Sequence, residues 1–405
     1  MRDPAPLVVG TGAVSPAGLG TMPLWRAVTS GRVTTGPISR FDVSGYPTDR
    51  AGEVPAGDLA RLDAIVPPHP SLAARYLAAA ALEALRCAGL DPRHGGRASG
   101  CRVGAFVGTV MGVRPLLDRG IQPGGLSVPG TGWAGPESLL DVLHEVVDVD
   151  GPAVLAAPGC SAGNSAIALG TSAIAAGEVE VAICGGTDEL SHEVFAMFAS
   201  MRGLAPDVVR PFDADRSGTM PSEGAGVLVL EHPDRAAARG ARPLAAVLGH
   251  ASRADGYHMT QPRPDGAAIV ATITACLHRS GLRAGDVDWV CAHGTGTPAS
   301  DGIEAAAIAA ALGSPAGRPA VSSVKGTLGH PVGAAAALEA VVAVLALGHQ
   351  VVPGNPTLRD PDPGCAGIDL VEGVARRGPV RAVVSPSFGF GGGVCTLALG
   401  QVGHG

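Results

Sequence analysis

The apolar run Ala153-Val154-Leu155-Ala156-Ala157 is followed by Pro158-Gly159-Cys160-Ser161 and then by small, uncharged residues as far as Gly177. A helix with no polar face has no surface to give to water, so this stretch reads as a buried helix fed by a buried strand. Cys160 therefore falls at a strand-to-helix turn. Free N–H groups and the positive end of the helix favour a thiolate at that place, and the thiolate is the nucleophilic form. Taken alone, a cysteine in such surroundings is more commonly an inert core residue. What else the chain brings to it decides between the two.

The 405 residues are 46% hydrophobic and only 16% charged, enough for one large core or two fused ones. The net charge is −7 and there is no long basic run, so nucleic acid is not an expected partner. Eight cysteines occur without any CxxC spacing, which points to a reducing, cytoplasmic setting rather than a disulfide framework. No signal peptide is read at Met1-Arg2-Asp3-Pro4, and no apolar run is expected to span a membrane. Lys325 is the only lysine in an arginine-rich chain. A compact ammonium and a planar, forked guanidinium are not interchangeable, so position 325 reads as a site that accepts only the former.

Apolar strand patterns alternate with alanine-rich helical ones throughout. Strands are expected at 7–10, 103–108, 152–157, 179–186 and 227–230, with helices at 25–30, 71–89 and 137–147 beside the cysteine helix. A second series begins near Pro243: strands at 244–248, 287–292, 321–325, 382–384 and 395–399, and helices at 267–280, 301–312 and 334–347. This alternation implies an α/β fold with mostly parallel sheets covered by helices. The two series look alike in outline, so the chain divides into halves 1–242 and 243–405 that share one core. Residues from about 112 to 135 are rich in glycine and proline and read as a long functional loop. "GTGAVSPAG" after the first strand lacks a helix-opening GxGxxG and is rejected as a dinucleotide site.

Three polar residues sit at glycine-flanked strand ends in the second half: His293 in "AHGTGTPASDGIE", Lys325 and His330 in "SSVKGTLGHPVGAAAALEA". Sites of α/β proteins gather at the carboxyl ends of strands, so these residues are the natural companions of Cys160. Asp301 and Glu304 head the helix after His293. A buried ammonium needs a carboxylate, and Glu304 is the expected partner of Lys325.

These motifs, with "SFGFGGG", "RPFDADRSGTMPSEGAGVLVLE" and "GYHMTQPRPDG", stand in the order found in β-ketoacyl-acyl carrier protein synthases, and the chain resembles that family over nearly its whole length. The resemblance implies the thiolase fold, two duplicated α/β halves forming five α-β-α-β-α layers, usually dimeric. It implies that Cys160 accepts an acyl chain from a carrier-protein thioester. His293 and His330 would bind the malonyl thioester carbonyl during loss of carbon dioxide, and the backbone N–H groups of Cys160 and Phe390 would form the oxyanion hole. Lys325 would organise His330. Met111, Phe198 and Phe388 would line the acyl pocket, and Arg202 would meet the carrier protein. No metal and no bound cofactor are expected, the substrates arriving on the phosphopantetheine of acyl carrier protein. The partner subunit would be a second copy or a chain-length-factor-like ketosynthase, and no membrane is involved.

The chain departs from the family at Ala157-Pro158-Gly159 before the cysteine and at Gly393-Val394 after "FGFGG". "RGLAPD" and the unfamiliar 112–135 segment favour a discrete ketosynthase of bacterial polyketide or related secondary metabolism. A chain-length-factor-like subunit is the first alternative, and its relatives typically lack the cysteine kept here. Acyl transfer without decarboxylation is the second. A thiolase would need a second nucleophilic cysteine, for which Cys395, in an apolar strand, is a poor candidate.

Overall fold

The structure is a computed structural model that describes residues 5–93, 101–122, 125–126, 135–313 and 319–403. Its first half contains β1 (Leu7–Ser15), α1 (Leu72–Cys87), β2 (Val103–Gly108), β3 (Ala153–Ala156), α2 (Ala162–Ala175), β4 (Val181–Asp188), α3 (His192–Ser200) and β5 (Gly224–Glu231). The second contains β6 (Ala245–Ala254), α4 (Ala267–Ser280), β7 (Trp289–Cys291), α5 (Asp301–Leu312), β8 (Ala320–Ser322), α6 (Ala335–His349), β9 (Asp369–Leu370), β10 (Ala382–Phe388) and β11 (Gly393–Gly400).

The strands run β3-β2-β4-β5-β1 in the first half and β8-β7-β10-β11-β6 in the second, with β9 added outside β8. Setting β9 aside, each half thus has the order third, second, fourth, fifth, first. The directions repeat as well. The fourth, second and third strands are parallel neighbours, whereas the fifth pairs antiparallel with both the fourth and the first. The halves meet where β1 and β6 pair antiparallel at Leu7↔Ala246 and Val8↔Ala245. The duplication expected from the sequence is present. The sheets are mixed, however, and not mostly parallel: each half folds its fifth strand back beside its first, which makes the centre antiparallel.

Period-two alternation in the strands sorts their side chains between layers. Leu228 and Leu230 of β5, with Cys395, Leu397 and Leu399 of β11, face the middle layer; Val227 and Val229 face α1, and Val394 and Ala398 face the outer helices α4 and α5. The middle layer is α2 and α6 lying together. Small residues allow this close approach: a Cβ on Gly163 would lie 2.5 Å from the Ala337 nitrogen. The five layers are therefore α1, a sheet, α2 with α6, a sheet, and α4 with α5.

Local signals placed most elements well. Ser71 caps α1, its hydroxyl accepting from the Ala74 N–H at 3.2 Å. Three expectations need correction. The strand before Lys325 ends at Ser322, and Lys325 opens a one-turn helix, Lys325–Leu328. Within the glycine-rich 112–135 stretch, Arg114–Gly120 is helical; residues 123–124 and 127–134 lie outside the described residues. The run Val332–His349 is, in length and hydropathy, long enough to cross a membrane. It forms the mostly buried α6 of the middle layer, which explains its apolarity.

Candidate active site

Cys160 occupies a 3-10 turn, Gly159–Ser161, between β3 and α2. Pro158 enters this turn at φ −84°, close to the values its ring allows, and Gly159 follows at φ +77°, which favours glycine. A Cβ on Gly159 would also lie 2.6 Å from the Phe390 carbonyl oxygen. The Pro-Gly pair that sets this chain apart is thus fitted to a tight turn pressed against the Phe390 loop.

His330, just before the Val332–Ala334 turn that leads into α6, places Nε2 3.2 Å from Cys160 Sγ. The His293 ring stands edge-on to His330 with centroids 5.5 Å apart, and lies 4.4 Å from the Phe388 ring. Both histidines are buried, and burial, reinforced by the Lys325 charge, holds them well below the usual imidazole range. They are neutral at pH 7 and each has one N–H to donate.

Lys325 is fully buried, and its ammonium donates to the His293 carbonyl oxygen at 2.6 Å and sits 3.4 Å from His293 Nδ1. An ammonium has no acceptor, so His293 Nδ1 must accept and its proton resides on Nε2. Here two expectations are corrected. The ion-pair partner of Lys325 is Glu339, from the middle of α6, not Glu304. Glu304 instead accepts the backbone N–H groups of His293 and Gly294, both at 2.7 Å. Burial pushes its carboxyl up to about 8. And Lys325 touches His293, not His330. Asp301 likewise serves the backbone, accepting from Phe212 N at 2.9 Å and Gly296 N at 3.1 Å.

The thiol itself differs from the expectation. Burial pushes Cys160 up to about 12; the Lys325 charge and the Phe390 N–H aimed at the sulfur act the other way but do not win. Desolvation of the thiolate outweighs both. The resting pair is a neutral thiol beside a neutral imidazole, and the sulfur needs a proton acceptor at hand when it attacks. His330 Nε2 is that neighbour. Iodoacetamide labelling of Cys160 is expected to rise about tenfold per pH unit between pH 6 and 10, following the thiolate fraction, with no plateau. A plateau near pH 8, read by mass after timed quenching, would show that the helix end dominates.

Cys160, His293, His330, Phe388 and Phe390 open on one cavity of about 270 Å³. Thr295 and Thr297 line its approach, and exposed Arg202 and Met201 stand at its outer side. Phe198 lines the cavity near Cys160, its ring 5.8 Å from that of Phe390. Met111 does not line it; it packs behind Cys160 with Phe195, Phe198 and Val332. At the Phe390 loop, a Cβ on Gly389 would lie 2.4 Å from the Cys160 nitrogen. Its absence leaves room in front of that N–H.

Sequence reasoning missed Glu339, although a lone carboxylate inside "AAALEAVVAVLAL", fourteen residues from the only lysine, was a usable signal. It also missed Ser387, whose hydroxyl donates to the Cys160 carbonyl oxygen at 3.3 Å, and Asp188 at the end of β4.

The duplicated five-layer core and a thiol–imidazole pocket at the heads of its two central helices define a thiolase-type acyltransferase. Comparison with known sequences narrows this. The N-terminal domain profile of β-ketoacyl synthases matches residues 7–236 and the C-terminal domain profile matches residues 244–359, so the chain belongs to the β-ketoacyl synthase family. It is 34% identical to the tetracenomycin polyketide synthase ketoacyl synthase alpha subunit of Streptomyces glaucescens, over 95% of this chain and 94% of that one. It is 33% identical to 3-oxoacyl-[acyl-carrier-protein] synthase 2 of Coxiella burnetii, over 98% of each. Among solved structures, the ishigamide ketosynthase/chain length factor superposes with a TM-score of 0.87 at 33% identity, covering 100% of both chains. The protein is a 3-oxoacyl-ACP synthase or polyketide ketosynthase, acting in polyketide or fatty acid synthesis.

Proposed function

We propose that this chain performs decarboxylative condensation in bacterial polyketide assembly, with Cys160 as the acyl carrier and His293 and His330 as the donors that hold the malonyl thioester. The observation that carries the reading is the meeting of Cys160 Sγ and His330 Nε2 at 3.2 Å, with neutral His293 beside them in one cavity.

Cys160 attacks the thioester of an acyl-carrier protein. The S–C bond to Cys160 forms, the carrier's C–S bond breaks, and the carrier leaves as its thiol with the proton lost by Cys160. Negative charge on the carbonyl oxygen is met by the N–H groups of Cys160 and Phe390. A malonyl thioester then enters, and its carbonyl oxygen accepts from the Nε2–H of His293 and from His330 once the single proton of that neutral ring has moved to Nε2. The bond to the carboxylate breaks, carbon dioxide leaves, and the electron pair remains as an enolate. Neutral donors suit this step, since an imidazolium would surrender its proton to the enolate and quench the carbon nucleophile. The enolate carbon attacks the acyl group, the Cys160 C–S bond breaks, the released thiolate takes up one proton from solvent, and the β-ketoacyl product departs on the second carrier.

The substrates arrive on the phosphopantetheine of acyl carrier protein, with Arg202 at the outer side of the cavity as a docking charge. The partner subunit is a second copy or a chain-length-factor-like ketosynthase; the likeness to the ishigamide ketosynthase/chain length factor supports the latter class. Sequential addition of acyl-carrier protein and malonyl-carrier protein, followed by intact mass, tests the reading. The expected result is one acyl group on Cys160, discharged as a β-ketoacyl product with one carbon dioxide. No load on Cys160 from any acyl donor overturns it, and load without release of carbon dioxide marks simple acyl transfer.

A further inference from the structure

The duplication extends to the turn that carries the nucleophile. In the first half Pro158 (φ −84°, ψ 38°) precedes the 3-10 turn Gly159-Cys160-Ser161 and α2. In the second, Pro331 (φ −81°, ψ 38°) precedes the 3-10 turn Val332-Gly333-Ala334 and α6. Gly159 has φ +77° and Val332 φ +45°. Gly333 is therefore the counterpart of Cys160, and the second half holds a copy of the nucleophile turn without a nucleophile.

The two copies treat their free N–H differently. In front of Cys160 N stands the end of β10, where Gly389 leaves a gap. In front of Gly333 N stands the end of β4, where Asp188 fills it. Its carboxylate accepts from Gly333 N at 2.7 Å, Thr109 Oγ1 at 2.7 Å, Val110 N at 2.9 Å and Met111 N at 2.9 Å. Asp188 is fully buried, and these four donors take up the lone pairs of a carboxylate that burial would otherwise make costly. A carboxylate thus sits where an oxyanion would sit in the first half.

The copied turn is strained. Val332 is β-branched and adopts a left-handed backbone, which such residues avoid unless their surroundings impose it. The bond from Gly333 N to Asp188 holds it immediately after the strained residue, and His330 lies two residues before. On its other side His330 is fixed by its own N–H to the Met220 carbonyl at 2.7 Å and by Ser222 N to its carbonyl at 3.0 Å. We propose that Asp188 is a positioning residue: by occupying the second half's copy of the oxyanion site it clamps the Pro331-Val332-Gly333 turn and so sets the His330 imidazole against Cys160 and the substrate carbonyl.

The inference rests on the proposed role of His330 in decarboxylation, and a double-mutant cycle keeps the two apart. Malonyl-carrier protein is supplied to the purified protein and release of labelled carbon dioxide is followed in the parent, Asp188→Asn, His330→Ala and the double variant. The amide that replaces the carboxylate would turn N–H groups toward the donors that now point at oxygen. Asp188→Asn is expected to lower kcat about 30-fold with KM within about 2-fold, and to cost less than about 2-fold further once His330 is already replaced by alanine. A general structural role would give the same loss in both backgrounds. Equal losses, or no loss in the parent, overturn the role of Asp188. If His330→Ala itself decarboxylates at the parental rate, it is the reading of His330 that fails. Should Asp188→Asn not fold, Thr109→Val removes one donor to the same carboxylate; it is expected to cost about 5-fold and to lose that effect in the His330→Ala background by the same logic.

Discussion

A Lys325→Met protein is expected to lose both stability and decarboxylation, and a second substitution should restore only the first. Lys325 and Glu339 are each fully buried and pair with one another. Removing the ammonium leaves a carboxylate with no counter-charge in the core, which typically costs about 3–5 kcal/mol. Glu339 also has a second oxygen, Oε2, with no hydrogen-bond partner among the described residues, so nothing else there is placed to take up the charge. The loss should show as a fall of several degrees or more in Tm. Activity falls for a different reason. Lys325 is the donor that fixes the proton of His293 on Nε2, and without it Nδ1 can carry the proton instead. Together with the missing charge near the developing enolate, this is expected to lower kcat for malonyl decarboxylation about 10²–10³-fold. In Lys325→Met/Glu339→Gln the buried charge is gone from both sides, so most of the Tm should return while decarboxylation stays low. Recovery of both would show that the lysine serves the fold alone.

Gly389→Ala tests the other end of the pocket. The added methyl would lie 2.4 Å from the Cys160 nitrogen, a distance no relaxed carbon occupies, and a tight 3.0 Å from its Cβ. Either the methyl fills the space in front of the Cys160 N–H or the Phe390 loop withdraws. In both cases the two N–H groups no longer converge on one point. Loss of one such donor typically costs about 10²–10³ in rate. Single-turnover acylation of Cys160, followed by intact mass, should slow by that factor. Because His293 and His330 are untouched, malonyl decarboxylation should change less than about 5-fold. Parallel losses in the two half-reactions would show that the loop organises the whole pocket rather than one hole.

The fold was legible where local chemistry alone decides it. α4 and α5 begin and end at the residues their capping and periodicity suggest, 267–280 and 301–312, because glycine and small polar residues mark their ends. The direction of the strands was not legible. β5 and β11 are as apolar as parallel strands, and their antiparallel pairing follows from where the chain returns, not from their composition. In the site, Cys160, His293 and His330 could be singled out because each is a reactive side chain beside glycine in a turn that follows an apolar strand, although a one-turn helix separates His330 from its strand. The partners that give them their properties could not be placed with the same ease. Glu339 is the nearer carboxylate to Lys325 in sequence, but it sits in the middle of an apolar helix, whereas Glu304 heads the helix after His293, and that position favoured the wrong carboxylate. The thiol was misjudged because a helix end is visible in a sequence while the desolvation around it is not.

The position of β1 bears on how the chain is made. Its end pairs at once with Gly18–Leu19, but along the rest of its length it pairs with β5 in the register Leu7↔Glu231, so most of this strand has no neighbour until roughly 220 residues after it leaves the ribosome. At about 5–20 residues per second that interval is roughly 10–45 s. Throughout it, a sticky edge must be sheltered by something other than its own sheet. Nascent chains of this protein are therefore expected to be clients of holding factors early in synthesis, and their exposure ends when β5 arrives.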